Sequence, residues 1–304
     1  MQILFAYYSD EKADVVEYEK QMQSSFEKFR EMYLYLLALI PEMQALAIEK
    51  IEAGRNKKLP TPEDLHPNTK FVTNSLLRIL ANSRNLEKEC KDNHVSWNGH
   101  KDLLKHIFKV LIETEDYKEY MKSKERGFEH DREYLLRFFR RHIINEEQLH
   151  DFFEERSVYW IDDLDLASSM VLKTLKKISD GEDDIQFLEL WGEESKEEYH
   201  FMINLYRKTL ANGSENEVLV RKYAENWEGD RIATMDMILM KMALAEAVVF
   251  EEIPLKVTLN EYIEIAKYYS TPKSSIFING MLDKIFEVLK AEGKVKKLGR
   301  GLIE

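Results

Sequence analysis

Cysteine is nearly missing from this 304-residue chain. Its one thiol, Cys90, cannot close an internal disulfide or anchor a cysteine zinc site, and a reducing cytoplasm fits that usage. Proline is scarce too: there are six, and none lies between Asn68 and Ile253. That interval predicts helix after helix, since nothing in it must break one. No alternating apolar–polar run long enough for a strand occurs. The apolar run from Ile3 to Tyr8 is too short to cross a bilayer and lacks a signal peptide's basic flank. The expectation is a cytoplasmic protein with no membrane partner. Basic charge is in deficit, 44 Lys and Arg against 56 Asp and Glu for a net charge of -12. That balance excludes a general nucleic-acid coat, although it leaves room for a local basic site on an acidic body. Catalytic constellations are also missing. Gly299-Arg300-Gly301 is too short for a phosphate loop and follows no strand. Cys90, within Glu-Lys-Glu-Cys-Lys-Asp, reads as a half-buried helical cysteine. Neither an enzyme nor a cofactor is expected.

What is present is the pattern of an all-α protein, 44% hydrophobic and 33% charged. Residues 12–53 form a long charged helical stretch with apolar positions Phe26, Phe29, Met32, Leu36, Ile40 and Met43, which Pro41 is expected to kink or divide. Gly54 to Pro67 reads as a loop, and helices follow near 69–91 and 99–112. A shift of 67 residues then aligns 131–178 with 198–245 without a gap. Arg140-Arg141 fall on Arg207-Lys208, Asn145 on Asn212, Trp160 on Trp227 and Met170-Val171-Leu172 on Met237-Ile238-Leu239. The pattern predicts an internal helical repeat of helix, short loop, helix, Trp turn and helix, its copies separated by the acidic loop 179–184. Two Glu-x-x-His strings, Glu147 with His150 and Glu197 with His200, have the spacing of a di-iron carboxylate site. The repeat alignment sets His200 opposite Glu133 and His150 opposite Glu217, so the strings are not equivalent and no metal is expected. Arg137, Arg140 and Arg141 form a second basic cluster beside that of the C-terminal tail, although long cations on an amphipathic helix are usually just its wet face.

The stretch from Trp227 to Leu289 is the most informative. Ile232, Met235, Leu239, Met242 and Ala245 give a first helix with one apolar face. Thr258 and Glu261 have the spacing of a capping box for a second helix running to Tyr269. After Ser270-Thr271-Pro272-Lys273, Ser274 or Ser275 is placed to cap a third, whose buried face is Phe277, Met281, Ile285 and Leu289. Three ordered strings within this stretch, Ile253-Pro254-Leu255-Lys256-Val257, Asn260-Glu261 with Ile263 to Lys267, and Phe277 to Lys284, resemble the C-terminal half of the NusB family of bacterial transcription antitermination factors.

The resemblance is strong from about Phe201 to Leu289. It implies a NusB-like helical bundle at 199–292, a remnant of the family's first helix at 1–8, a large helical insertion at 9–198 and a basic tail at 293–304. It further implies non-catalytic binding of boxA-like single-stranded RNA together with the ribosomal protein NusE, in the company of RNA polymerase-associated Nus factors, on ribosomal RNA operons. The residues it marks toward RNA are Gln2, Phe5, Lys273, Ser275 and Phe277. Phe5 takes the place of a tyrosine common in the family, and Lys273 stands where an acidic residue is common. Lys296, Lys297 and Arg300 of the tail are candidates too, although cations are also favoured at helix C-termini. Asp230 and Asp236 are expected to form a docking edge for the basic ribosomal partner. The arginine cluster that precedes the family's first-helix segment is absent, so either it lies upstream of Met1 or this member does without it. The alternative is a helical protein-interaction scaffold that does not bind RNA.

Overall fold

The computed structural model describes residues 1–160, 162–187, 193–224 and 232–302, without the side chains of 193–196, 198 and 300. The backbone gathers into two compact units, one made of residues 1–22 with 191–304 and the other of residues 23–190. All regular structure among the described residues is helical.

Helix α1 spans Gln2–Ser9 and α2 Val15–Arg55, the latter giving its first turns to the first unit and the rest to the second. Pro41 lies inside α2 and does not divide it. A proline there forfeits a backbone hydrogen bond, at a cost of about 3 kcal/mol, but Met32 to Leu37, Leu39, Ile40 and Met43 are all buried around it. Packing on both sides holds the helix through the break. By length and composition α2 alone among the described helices could cross a membrane, yet most of its apolar window is buried in the protein, as a core helix would be.

The second unit continues with α3 (Pro62–Leu65), α4 (Ser75–Ala81), α5 (Arg84–Asp92), α6 (Lys101–Glu113), α7 (Glu115–Lys122) and α8 (Phe128–Phe138). A π-helical turn at Phe139–Ile143 extends α8, and α9 (Glu147–Arg156), a 3-10 turn at Val158–Trp160 and α10 (Leu164–Lys177) complete the unit. Two expectations change here. The loop after α2 contains α3, because Thr61 and Asp64 form a capping box around Pro62. The single helix expected near 69–91 is two, because Asn74 and Ser83 each cap a new start. The core surrounds α2: Trp97 donates to the Tyr35 carbonyl at 3.1 Å and Trp160 to the Lys28 carbonyl at 2.6 Å. Burial, with Glu89 adding to it, lifts the Cys90 thiol to about 11, which leaves it an inert packing residue.

In the first unit, α11 (Glu193–Ala211), α12 (Gly213–Ala224), α13 (Thr234–Val249), α14 (Leu255–Tyr269) and α15 (Ser274–Ala291) lead to a 3-10 turn at Gly299–Leu302. Helix α13 is buried on every side from Asp236 to Ala247, not on the one face its spacing predicts. Such a helix is the axis of its bundle, and α1, α11, α12, α14 and α15 all pack on it. Three polar residues interrupt its apolar surface, and each ties in a different neighbour. Asp236 binds Ser270 and Ser274 around the α14–α15 turn. Lys241 pairs with Glu217 of α12 at 2.6 Å and lies 4.7 Å from the Tyr8 ring of α1. Glu246 accepts from Tyr262 of α14 at 3.0 Å.

The helix order α8–α9–α10 follows that of α11–α12–α13 at the shift the sequence repeat gives, with the π turn falling on the later part of α11. The Trp227 position of the repeat lies outside the described residues.

Candidate nucleic-acid interface

The α14–α15 turn is held from beneath by a buried carboxylate. Asp236 stands in the first turn of α13 and is 5% exposed. It accepts from the Ser270 hydroxyl at 2.5 Å and the Ser274 hydroxyl at 2.8 Å, so both oxygens are occupied. Ser274 in turn accepts from the Thr271 backbone N–H at 3.2 Å. The expectation that Asp236 forms an exposed docking edge is therefore corrected: it is a clamp for the turn. Asp230 lies outside the described residues. The capping assignments also shift by a turn. Helix α14 starts at Leu255 behind Pro254, which leaves Thr258 buried one turn inside. Ser274 and Ser275 lie within α15, whose N-cap is Lys273.

The clamp faces inward, and Lys273, next to Ser274 in the chain, faces out. Its side chain is exposed, it makes no side-chain cap, and the first turn of α15 holds no acid. A helix N-terminus already carries partial positive charge and unpaired N–H groups, so a lysine there costs the fold something and draws anions to that point. Ser275 and Phe277 are half-buried on the same turn, while Ile278, Met281, Ile285 and Leu289 fill the core. Met281, Ile285 and Leu289 of the expected face are buried, and Phe277 sits at its edge, with Ile278 buried in its place.

Helix α1 presents Phe5 41% exposed, while Leu4 beside it is buried. Gln2 is exposed on the same helix. The helix is fixed through Tyr8, which meets the Lys241 ammonium and whose hydroxyl closely abuts Gly213.

The tail is not a loose basic strand. Lys297 donates to the Phe250 carbonyl at 2.8 Å, and the Leu298 N–H donates to the Glu251 carbonyl at 2.9 Å. Gly301 is required where it is, because a Cβ there would lie 2.0 Å from the Glu251 carbonyl oxygen. Burial lowers the Lys297 pKa, partly offset by Glu246 and Glu251. Lys297 is therefore a strap holding the tail, a correction to its place among the free RNA-side cations. Lys296 is exposed, and the Arg300 side chain is not among those described. The tail, α14 and α15 enclose a groove of about 630 Å³ floored by Leu255, Leu259, Phe286 and Val295.

The di-iron spacing does not assemble a site: among the described residues no three His, Cys, Asp or Glu side chains come together to hold a metal. His150 is bonded to the Ile144 carbonyl at 2.6 Å, and His200 is exposed.

Residues 162–287 match the NusB family model. Over 103 residues the chain is 48% identical to the "Transcription antitermination protein NusB" of Salinibacter ruber, covering 34% of this chain and 64% of that relative. Over 104 residues it is 41% identical to the protein of the same name from Chloroherpeton thalassium, covering 34% of this chain and 49% of the relative. The chain thus spans about half to just under two thirds of the length of these relatives. A solved structure of T. maritima NusB is 24% identical, with 52% of this chain and 95% of that one covered at a TM-score of 0.30. The family match begins upstream of the strong resemblance in the sequence, two residues before α10 of the second unit.

Proposed function

We propose, from the premise that residues 162–287 carry a NusB-family domain, that this chain is a non-catalytic transcription antitermination factor that binds RNA in the cytoplasm. In this reading the first unit binds boxA-like single-stranded RNA from ribosomal RNA operons together with NusE, alongside other Nus factors of the polymerase complex. The single observation that carries the reading is the exposed Lys273 at the start of α15, next to the Ser274 that the buried Asp236 clamps. It concentrates positive potential at one point of an acidic chain, which is what a short phosphate backbone needs. Phe5 and Phe277 supply rings for base stacking, the usual way single strands are read, and Gln2, Ser275 and Lys296 supply polar groups for the same strand. Lys297 belongs to the tail strap and takes no part in holding RNA.

A scaffold that binds protein and not RNA is the second reading. The net charge of -12 and the engagement of Lys297 favour it. Fluorescence anisotropy separates the two. A labelled boxA RNA and a scrambled control are titrated with the chain, alone and with NusE. Preference for boxA, tightened by NusE, supports the first reading, and equal failure of both RNAs with NusE present supports the second.

A further inference from the structure

The second unit holds a group of cations that the reading above does not use. Asp116, in the first turn of α7, is buried with three basic side chains around its carboxylate. Arg137 Nε lies 3.2 Å from Oδ1, and Arg141 Nη1 lies 3.1 Å from the same oxygen. His142 Nε2 is 3.0 Å from Oδ2. Two guanidinium groups on one carboxylate leave a surplus of positive charge before His142 is counted. Arg140, next in the chain, is exposed and its side chain makes no ion pair among the described residues.

The helix itself is bent to this arrangement. In an α-helix a residue five positions on lies about 140° around the axis, away from the first. Here Phe139–Ile143 widens into a π turn, closed by the Ile144 N–H on the Phe139 carbonyl at 3.2 Å. The extra residue per turn lets Arg141 and His142 both reach the carboxylate that Arg137 reaches from the turn before. Such turns are rare and recur at functional sites.

Asp116 is too little charge to neutralise its neighbours, but it is enough to order them. Arg137 comes nearest to it through Nε, Arg141 bonds to it through Nη1, and the two side chains remain 42% and 61% exposed. Their remaining donors form a prepared fork, with part of the rotamer entropy already lost. Guanidinium forks match phosphate oxygens. The large apolar residues of this helix, Phe138, Phe139 and Ile143, are buried, so the patch offers no anchor for a peptide side chain. We infer that Arg137, Arg140 and Arg141 form a phosphodiester-binding site through which the second unit holds the backbone of a single-stranded RNA, whatever its base sequence. The inference rests on the RNA-binding reading only for the kind of polymer.

The test uses the full chain, with anisotropy of labelled boxA RNA, a scrambled RNA and a labelled polyglutamate, across about 50–200 mM salt. R137Q/R141Q removes the fork. R140Q removes an exposed cation whose side chain makes no ion pair among the described residues, and is expected to leave the fold undisturbed. The double variant is expected to bind both RNAs about tenfold more weakly at low salt, with the salt slope reduced by about 0.7 for each phosphate no longer neutralised. R140Q moves the same way, by less. Unchanged RNA affinity and slope in both variants, with boxA preference intact, overturns this site and leaves the proposed function standing. Loss of slope in a chain with no boxA preference supports the site and removes the proposed function. Lost polyglutamate binding with RNA unaffected overturns the site in favour of an acidic protein partner. Native protein that binds neither RNA overturns both.

Discussion

Arg207 and Arg140 occupy the same place in the sequence repeat, one in each compact unit, and they meet opposite fates. Arg207 on the regular helix α11 is held by both oxygens of Glu19, at 2.7 Å each. Arg140 sits on a π turn and has no such partner among the described residues, while its neighbour Arg141 shares one carboxylate with Arg137 and His142. In the first unit Arg207 has Glu19 to itself among the described residues, while Glu217 is shared by Lys241 of the buried axis and Arg221 of its own helix. The second gathers three basic side chains at a single acid. A balanced pair such as that of Arg207 is what a fold needs, and a surplus held in place by a distorted helix is what a ligand site needs.

The largest effect that would break this contrast comes from the first unit. Asp236→Ala removes two charge-assisted hydrogen bonds from a buried clamp and should cost about 2 kcal/mol, read by calorimetry, with faster hydrogen exchange in the α14–α15 turn. Asp116→Asn should cost less, about 1 kcal/mol, because its exposed arginines can return to water. Burial pushes the Asp116 pKa up, but His142, Arg141 and Arg137 outweigh it and hold the pKa below its ordinary 3.8. The carboxylate therefore stabilises above about that pH and loses its contribution as pH falls through the depressed value, so native and variant melting curves should converge in acid. Glu246 carries the opposite sign. Burial raises its pKa above 4.5 against the opposing bonds from Thr258 and Tyr262, so the folded protein loses stability as pH rises from there. Glu246→Gln should melt higher than the native chain at neutral pH and equal to it at pH values below that range. Arg207→Gln, at an exposed pair, should leave the melting temperature unchanged within error.

Much of the first unit was legible because its signals are local. Pro254 and the Ser270–Lys273 break mark helix limits, and the four-residue spacing of Met281, Ile285 and Leu289 marks a buried face. The sequence misled where tertiary burial overrode a local signal. Thr258 looks like a cap, but the helix had already begun behind Pro254. Asp236 looks like a surface acid, but burial among Ser270 and Ser274 makes it a clamp. An acid within the apolar run of α13 was the available sign of that role. The Asp116 cluster was not legible, since it depends on a π turn and on a carboxylate more than 20 positions away. A run of basic residues on a helix gives no hint of what it faces.

In the proposed function, single-stranded RNA lies against the start of α15 and the exposed side of α1. Ultraviolet crosslinking of a boxA RNA to the full chain with NusE, mapped by mass spectrometry, tests it most directly. Crosslinks are expected at Phe5 and Phe277 and are lost when Lys273 is changed to Glu. Crosslinks confined to other peptides, and indifferent to Lys273→Glu, would contradict it.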